Sequence, residues 1–143
     1  MIQNKKQFTL WIFLSLVWLC VIWGHSLMPA SVSHKESSGI FEWLHRFLPF
    51  LTHGLLRKIA HFSAFAILGG LLSAAFMQCD TFSIHRPIGI AFLCAFVDET
   101  IQLFVTGRSG QISDLWIDLS GACVASLLLL VLRKLRKSHR SES

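Results

Sequence analysis

Four stretches of this chain are too long and too apolar to fold as anything but helices facing hydrocarbon. They cover residues 8–24, 59–77, 88–104 and 115–132, each near the ~20 residues that carry an α-helix across ~30 Å of bilayer core. A soluble four-helix bundle would keep a polar face on every helix. Residues 10–23 and 127–132 instead are apolar all round. The 143 residues are 53% hydrophobic and only 15% charged, with a mean hydropathy of +0.58, outside the range of an ordinary soluble domain. The expectation is a single all-α membrane domain, an antiparallel bundle of four transmembrane helices.

Four crossings place both termini on one side. Lys5, Lys6, Arg86, Arg133, Lys134, Arg136, Lys137 and Arg140 then fall together, leaving Lys35, Arg46, Arg57, Lys58 and Arg108 opposite. Lys and Arg bias sets orientation, so the termini are expected on the cytoplasmic side. The basic tail, residues 133–143, reads as a stop-transfer signal and a lipid anchor. The net charge of +5 comes with no nucleic-acid motif. Cys20, Cys79, Cys94 and Cys123 lack paired metal-ligand spacing and read as small hydrophobes.

The first apolar run exceeds the usual core of a signal peptide, which favours a retained helix over a cleaved one. Trp23 at its outer end fits an interfacial anchor. The following connection begins Pro/Ser-rich, which predicts irregular chain to about residue 39. Ile40, Phe41, Leu44, Phe47, Leu48 and Leu51 then recur at helical spacing, predicting a short amphipathic helix over about 40–51 in the outer interface. In the second span Ala66, Gly70 and Ala74 form a small-residue stripe for close packing, and Gly121 and Ala125 do so in the fourth.

Polarity is concentrated near one membrane face. Lys58 and His61 begin an inward-running helix, Asp98, Glu99 and Gln102 end an outward-running one, and Asp114 and Asp118 begin another inward one, with Arg108 in the turn between the last two. The topology puts all of them at one depth in the outer leaflet. Charges inside apolar helices normally face a bundle interior or wet cavity and pair with partners, so one outward-open polar cavity is expected. The obvious pairs are Glu99 or Asp98 with Arg108 or Lys58, and Asp114 with His61.

Three stretches carry a likeness to a known family: Lys58-xx-His61-Phe62-xx-Phe65-xx-Leu68-Gly69, Asp98-Glu99-xx-Gln102-x-Phe104-xx-Gly107-Arg108-Ser109 and Asp114-xxx-Asp118-xx-Gly121. Together with the serines Ser26, Ser31, Ser33, Ser37 and Ser38 of the first loop, the sequence resembles the VanZ-like family of bacterial membrane proteins. The resemblance implies a small multi-helix envelope protein of the bacterial inner membrane, with relatives linked to lowered susceptibility to the lipoglycopeptide teicoplanin. Asp118 departs from the family pattern, which usually has Asn there.

Three functions fit these residues. The favoured one is a pocket for an anionic lipid-linked envelope molecule, with Arg57, Lys58, His61 and Arg108 gripping phosphate or pyrophosphate and Asp98, Glu99, Gln102, Asp114 and Asp118 completing the ligand-binding set. The second is a membrane-embedded enzyme acting on a lipid-linked phosphate or pyrophosphate. There His61, Glu99 or Asp98 would be the catalytic candidates. Asp98 or Glu99 with Asp114 and Asp118 could hold Mg²⁺ through oxygen ligands against a pyrophosphate, Asp114 and Asp118 being the metal candidates proper. Outside that reading no metal site or cofactor is evident. The third is a polar core that pins the helices without a ligand. Membrane lipids and the lipid-linked precursor are the expected partners, a homo-oligomer is compatible, and the absence of inverted repeats disfavours a transporter.

Overall fold

The computed structural model describes residues 1–141, apart from the side chains of His34, Glu36, Ser37, Ile40, Leu44, Arg140 and Ser141. Ile40 and Leu44 of the predicted amphipathic stripe therefore lie outside the described side chains, as do Glu142 and Ser143 of the basic tail. Five α-helices follow one another: α1 Lys5–Ser26, α2 Ala30–His45, α3 His53–Phe76, α4 His85–Leu103 and α5 Ile112–Ser141. No strand occurs among the described residues beyond an isolated bridge between Ile2 and Cys79.

Helices α1, α3 and α5 are long and apolar enough to cross a membrane. α4 has 19 residues and holds Arg86, Asp98 and Glu99, which set it apart by composition. Its exposed face is nonetheless Ile90, Leu93, Phe96 and Val97, and similar aliphatic surfaces cover α1 and α5. A soluble monomer does not expose so much contiguous apolar surface.

Several helix boundaries differ from the expected ones, each for a local reason. α3 starts at His53 because the Thr52 hydroxyl accepts from the Leu55 N–H at 3.1 Å, an N-cap that an apolar window does not register. α2 begins at Ala30, so the Ser-rich chain predicted to be irregular is helical. The Pro29 carbonyl accepts from the Val32 and Ser33 N–H groups and starts it. α2 also stops at His45, short of the predicted 51, with Pro49 and a turn closed by Leu51 N–H to the Leu48 carbonyl. Its end is held to α3 by Phe41 stacked on His53 at 3.7 Å. α5 continues through the basic tail, since Lys and Arg are good helix formers.

α3 is the hub. It packs most extensively on α5, then on α1, and α4 lies against both α5 and α3. The α3–α5 seam is built on glycine. A Cβ added to Gly69 would lie 2.6 Å from the Ala122 Cα, and one on Gly121 would collide with the Phe62 carbonyl oxygen. Alongside, the buried Ser73 hydroxyl donates to the Ser126 hydroxyl at 2.9 Å. The centre of the seam is thus Gly69 and Ser73, one position before Gly70 and Ala74 of the predicted stripe. Gly70 meets Ala125 only at ordinary contact distance. The core beside it comprises Ile22, Phe65, Leu68, Leu72, Ala91, Ala95 and Ala122.

Two indoles fix α1. Trp18 Nε1–H donates to the Ala64 carbonyl at 2.9 Å and Trp23 Nε1–H to the Cys94 carbonyl at 3.4 Å. Trp23 therefore points into α4 instead of anchoring at an interface. At one end of the bundle Gln3 and Met1 pair with Gln78 and Asp80 of the α3–α4 link. At the other, the Ala30 N–H donates to the Thr106 carbonyl, joining α2 to the α4–α5 loop.

The seam makes a direct prediction. Gly69→Ala should destabilise the protein by about 1–3 kcal/mol, the range for overpacking. Gly89→Ala, where a Cβ meets nothing within 4 Å, should be neutral or stabilising. Thermal unfolding of both variants in one detergent checks the contrast.

Candidate functional site

The polar residues form two storeys because one helical turn separates them on each of three helices. On α3, Arg57 stands one turn nearer the α2 end of the bundle than His61. On α4, Gln102 stands one turn nearer that end than Asp98, and on α5, Asp114 one turn nearer than Asp118, so the storey at that end is called outer. Residues four apart share a helix face, so each helix brings an outer and an inner group to the same seam.

In the outer storey Arg57 is the centre. Its Nη2 lies 2.9 Å from Asp114 Oδ2 and donates to Gln102 Oε1 at 3.0 Å and to the Ser109 carbonyl at 3.3 Å. In the inner storey His61 Nδ1 lies 3.0 Å from Asp118 Oδ1. Gln102 links the storeys, its Nε2 donating to Asp98 Oδ2 at 2.9 Å and to the Ser26 hydroxyl at 3.3 Å. Asp98, Gln102, Asp114 and Asp118 are all buried.

Glu99 leaves this face and turns towards α5. Its Oε2 accepts from the Gln111 N–H at 2.7 Å, just before the first residue of α5, where the helix dipole favours an anion. The close approach of loop to helix requires Gly110, whose added Cβ would be 2.7 Å from the Glu99 carbonyl oxygen. Gly107 supplies the left-handed turn, with φ of +76°.

Arg108 acts on the far side of the loop. Its Nε donates to the Met28 carbonyl at 2.7 Å and its Nη2 to the His25 carbonyl at 2.9 Å. It thereby caps the carbonyl end of α1 with a cation. Partial burial and the nearby Arg57 guanidinium lower the Arg108 pKa from its ordinary value, though a guanidinium keeps its charge.

The structure thus brings together His61, Asp98, Glu99, Gln102, Asp114 and Asp118. Lys58 is exposed and does not join them. The pairs are also redistributed: Asp114 takes Arg57 instead of His61, His61 takes Asp118, and Arg108 binds backbone carbonyls instead of an acid. Two contributors carried little sequence signal. Ser26 looked like one of several loop serines, and the Gln111 contact uses only its backbone. Arg57 was visible as a cation but not as the hub, because Arg57 and Lys58 are both within one turn of His61.

A cavity of about 380 Å³ opens beside the cluster. The charged and titratable side chains on its wall are Arg57, Arg108, His25, His53, His61 and Asp98, while Trp18, Val21, Ile22, Leu56, Ala60 and Ala64 form an apolar side between α1 and α3. Glu99, Asp114 and Asp118 stand behind this wall. Within the cluster, one ligand atom each from His61, Asp98, Glu99 and Asp118 lies within 4.8 Å of all the others. Of the acids expected to hold Mg²⁺, Asp114 is taken by Arg57, while Asp98, Glu99 and Asp118 stay together.

A family model described as VanZ/LLP1 matches residues 11–133. No curated protein and no solved structure matches the chain.

Breaking the outer storey should be costly. Loss of one partner of a fully buried ion pair costs about 3–5 kcal/mol, and with Arg57 34% exposed a value nearer ~2 kcal/mol is expected for Arg57→Ala. The Arg57→Ala/Asp114→Ala double variant should be less destabilised than the sum of the two single changes. Denaturant unfolding of all four proteins measures that coupling.

Proposed function

The chain belongs to the VanZ/LLP1 family, and we propose that it is a four-span protein of the bacterial inner membrane whose outward-facing cavity binds an anionic, lipid-linked cell-envelope molecule. Occupancy of that cavity would link the protein to lipoglycopeptide susceptibility by engaging a cell-wall precursor. The observation carrying this reading is the asymmetry of the cavity wall. Two guanidinium groups and three imidazoles face the space against the single carboxylate of Asp98, and the opposite side is apolar. A phosphate or pyrophosphate suits the first surface. A prenyl or acyl chain suits the second, which lies between the outer halves of α1 and α3 above the Trp18–Ala64 bond.

The four-span arrangement is supported by the packing of α4 against α3 and α5. Its acids are turned inward and its outer face is aliphatic. The N-terminus shares an end with the α3–α4 link, and α2 shares the other with the α4–α5 loop, which is the pairing that four crossings demand. Lys and Arg distribution then assigns the first end to the cytoplasm. α2, with Trp43, Phe47 and Phe50 exposed at and beyond its end, fits the outer interface, and its Ala30 and Ser33 reach the cavity.

One observation favours an enzyme as the second reading. His61 lines the cavity and is oriented through Nδ1 by a buried carboxylate, the arrangement of a positioned general base. Turnover of a lipid pyrophosphate would select it over simple binding.

Two experiments test the proposal. In a cysteine-free background, Ser109→Cys should react with a membrane-impermeant maleimide from outside the cell; labelling only after permeabilisation would reverse the topology. Ala60→Trp should fill the cavity from its lipid side without touching the ion pairs. Binding of a labelled polyprenyl pyrophosphate in nanodiscs should fall at least tenfold while the melting temperature is kept. Equal binding by wild type and Ala60→Trp, or equal displacement by phosphatidylglycerol, would refute the pocket.

A further inference from the structure

The inner storey holds more negative charge than its partners balance. Asp98, Glu99 and Asp118 are 1%, 8% and 0% exposed, and they face one imidazole. The nearby cations are committed elsewhere. Arg57 is matched by Asp114, and the Arg108 Nε and Nη2 donate to the Met28 and His25 carbonyls respectively. Each of the three acids also keeps one oxygen, Asp98 Oδ1, Glu99 Oε1 and Asp118 Oδ2, with no hydrogen-bond partner among the described residues; the remaining such atom is the donor Arg57 Nε, on the guanidinium already paired with Asp114. Buried polar atoms are normally satisfied, and three orphans of the same sign at one point call for an explanation.

We propose that His61, Asp98, Glu99 and Asp118 form a binding site for a divalent transition-metal ion. Metal bonds of about 2.0–2.2 Å require the donor atoms to gather around one point. One ligand atom from each of the four residues already lies within 4.8 Å of all the others, so side-chain adjustment, without backbone movement, is what remains to close the sphere. One nitrogen with three carboxylate oxygens is a mixed donor set. Mg²⁺ and Ca²⁺ prefer oxygen alone, whereas Mn²⁺ and Zn²⁺ accept imidazole beside carboxylates. The ion would neutralise the excess acid and occupy the orphaned oxygens.

The same four residues explain the supporting contacts around them. Gln102 holds Asp98 through its other oxygen, and Gln111 N–H holds Glu99 through its other oxygen. In both of these acids one oxygen is fixed and the other points free, as in carboxylates positioned as ligands. Asp118 differs: its Oδ1 meets His61 Nδ1, and a metal ion between them would replace that contact. His61 and Asp98 also line the cavity, which gives the ion an entry path and an open face. This site does not depend on the lipid reading, since it is defined by protein groups alone.

The test uses the full chain in nanodiscs, stripped with chelator and titrated separately with Mn²⁺, Zn²⁺ and Mg²⁺. One Mn²⁺ or Zn²⁺ per chain is expected, bound more tightly than Mg²⁺ and accompanied by a rise in melting temperature. Asp98→Asn and Asp118→Asn should each weaken that binding by at least roughly 10–100-fold, the loss seen when even a ligand's supporting partner is removed. Asp80→Asn, at the other end of the bundle, should retain it. Helical circular dichroism confirms that each variant is folded. Should Asp118→Asn fail that check, Asp98→Asn and Glu99→Gln decide alone. Absence of stoichiometric Mn²⁺ and Zn²⁺ binding by the wild type, or binding unchanged in the folded variants, would overturn the site and leave shared protons as the compensation.

Discussion

Two ladders of opposite charge, set one turn apart on facing helices, govern the outer half of this protein. Arg57 and His61 on α3 meet Asp114 and Asp118 on α5 at 2.9 and 3.0 Å. Removing charges from water into a low-dielectric interior is expensive unless geometry and hydrogen bonding are good. The pairing satisfies that condition only if the two helices hold one register, because a slip of one residue turns either ladder by about 100°. Everything else at this end is consistent with that requirement: Gln102 crosses between storeys, Glu99 caps α5, and Arg108 ties the loop to the end of α1.

The register comes from elsewhere in the membrane thickness. Gly69 against Ala122 and Gly121 against Phe62 bring the backbones of α3 and α5 together deeper in the bundle. The Ser73–Ser126 bond adds a polar pin there. Without a hydrophobic drive between helices in lipid, such close van der Waals packing and interhelical bonds do the associating. The charged storeys thus sit on a platform whose alignment is set by small residues, and the ion pairs do not have to supply the whole of the α3–α5 affinity.

Much of this was legible from residue order, and the reason is periodicity. Long apolar runs locate α1, α3, α4 and α5, and topology alone puts His61, Asp98, Glu99 and Asp118 at one end. The partners were not legible. Spacing makes Arg57 and Lys58 equally eligible neighbours of His61, and only the rotation of α3 exposes Lys58 while turning Arg57 inward. Arg108 illustrates a second blind spot, since backbone carbonyls at a helix end leave no mark in the sequence. The helical state of residues 30–39 depends on Pro29 starting a helix that Ser-rich composition argues against. The VanZ-like resemblance, now matched over residues 11–133, singled out most of the positions that the fold brings together but not how they pair with one another.

The glycine contact beneath the polar storeys has a consequence for tolerance to change. Because backbone atoms, not charges, set how α3 and α5 slide past each other, a residue such as Asp118 can be exchanged for an amide with the helices remaining in step. What alters is the electrical balance of the inner storey, by one negative charge at a time. The scaffold therefore separates shape from charge: the backbone contact fixes the frame, and the acidity of the inner storey can vary upon it.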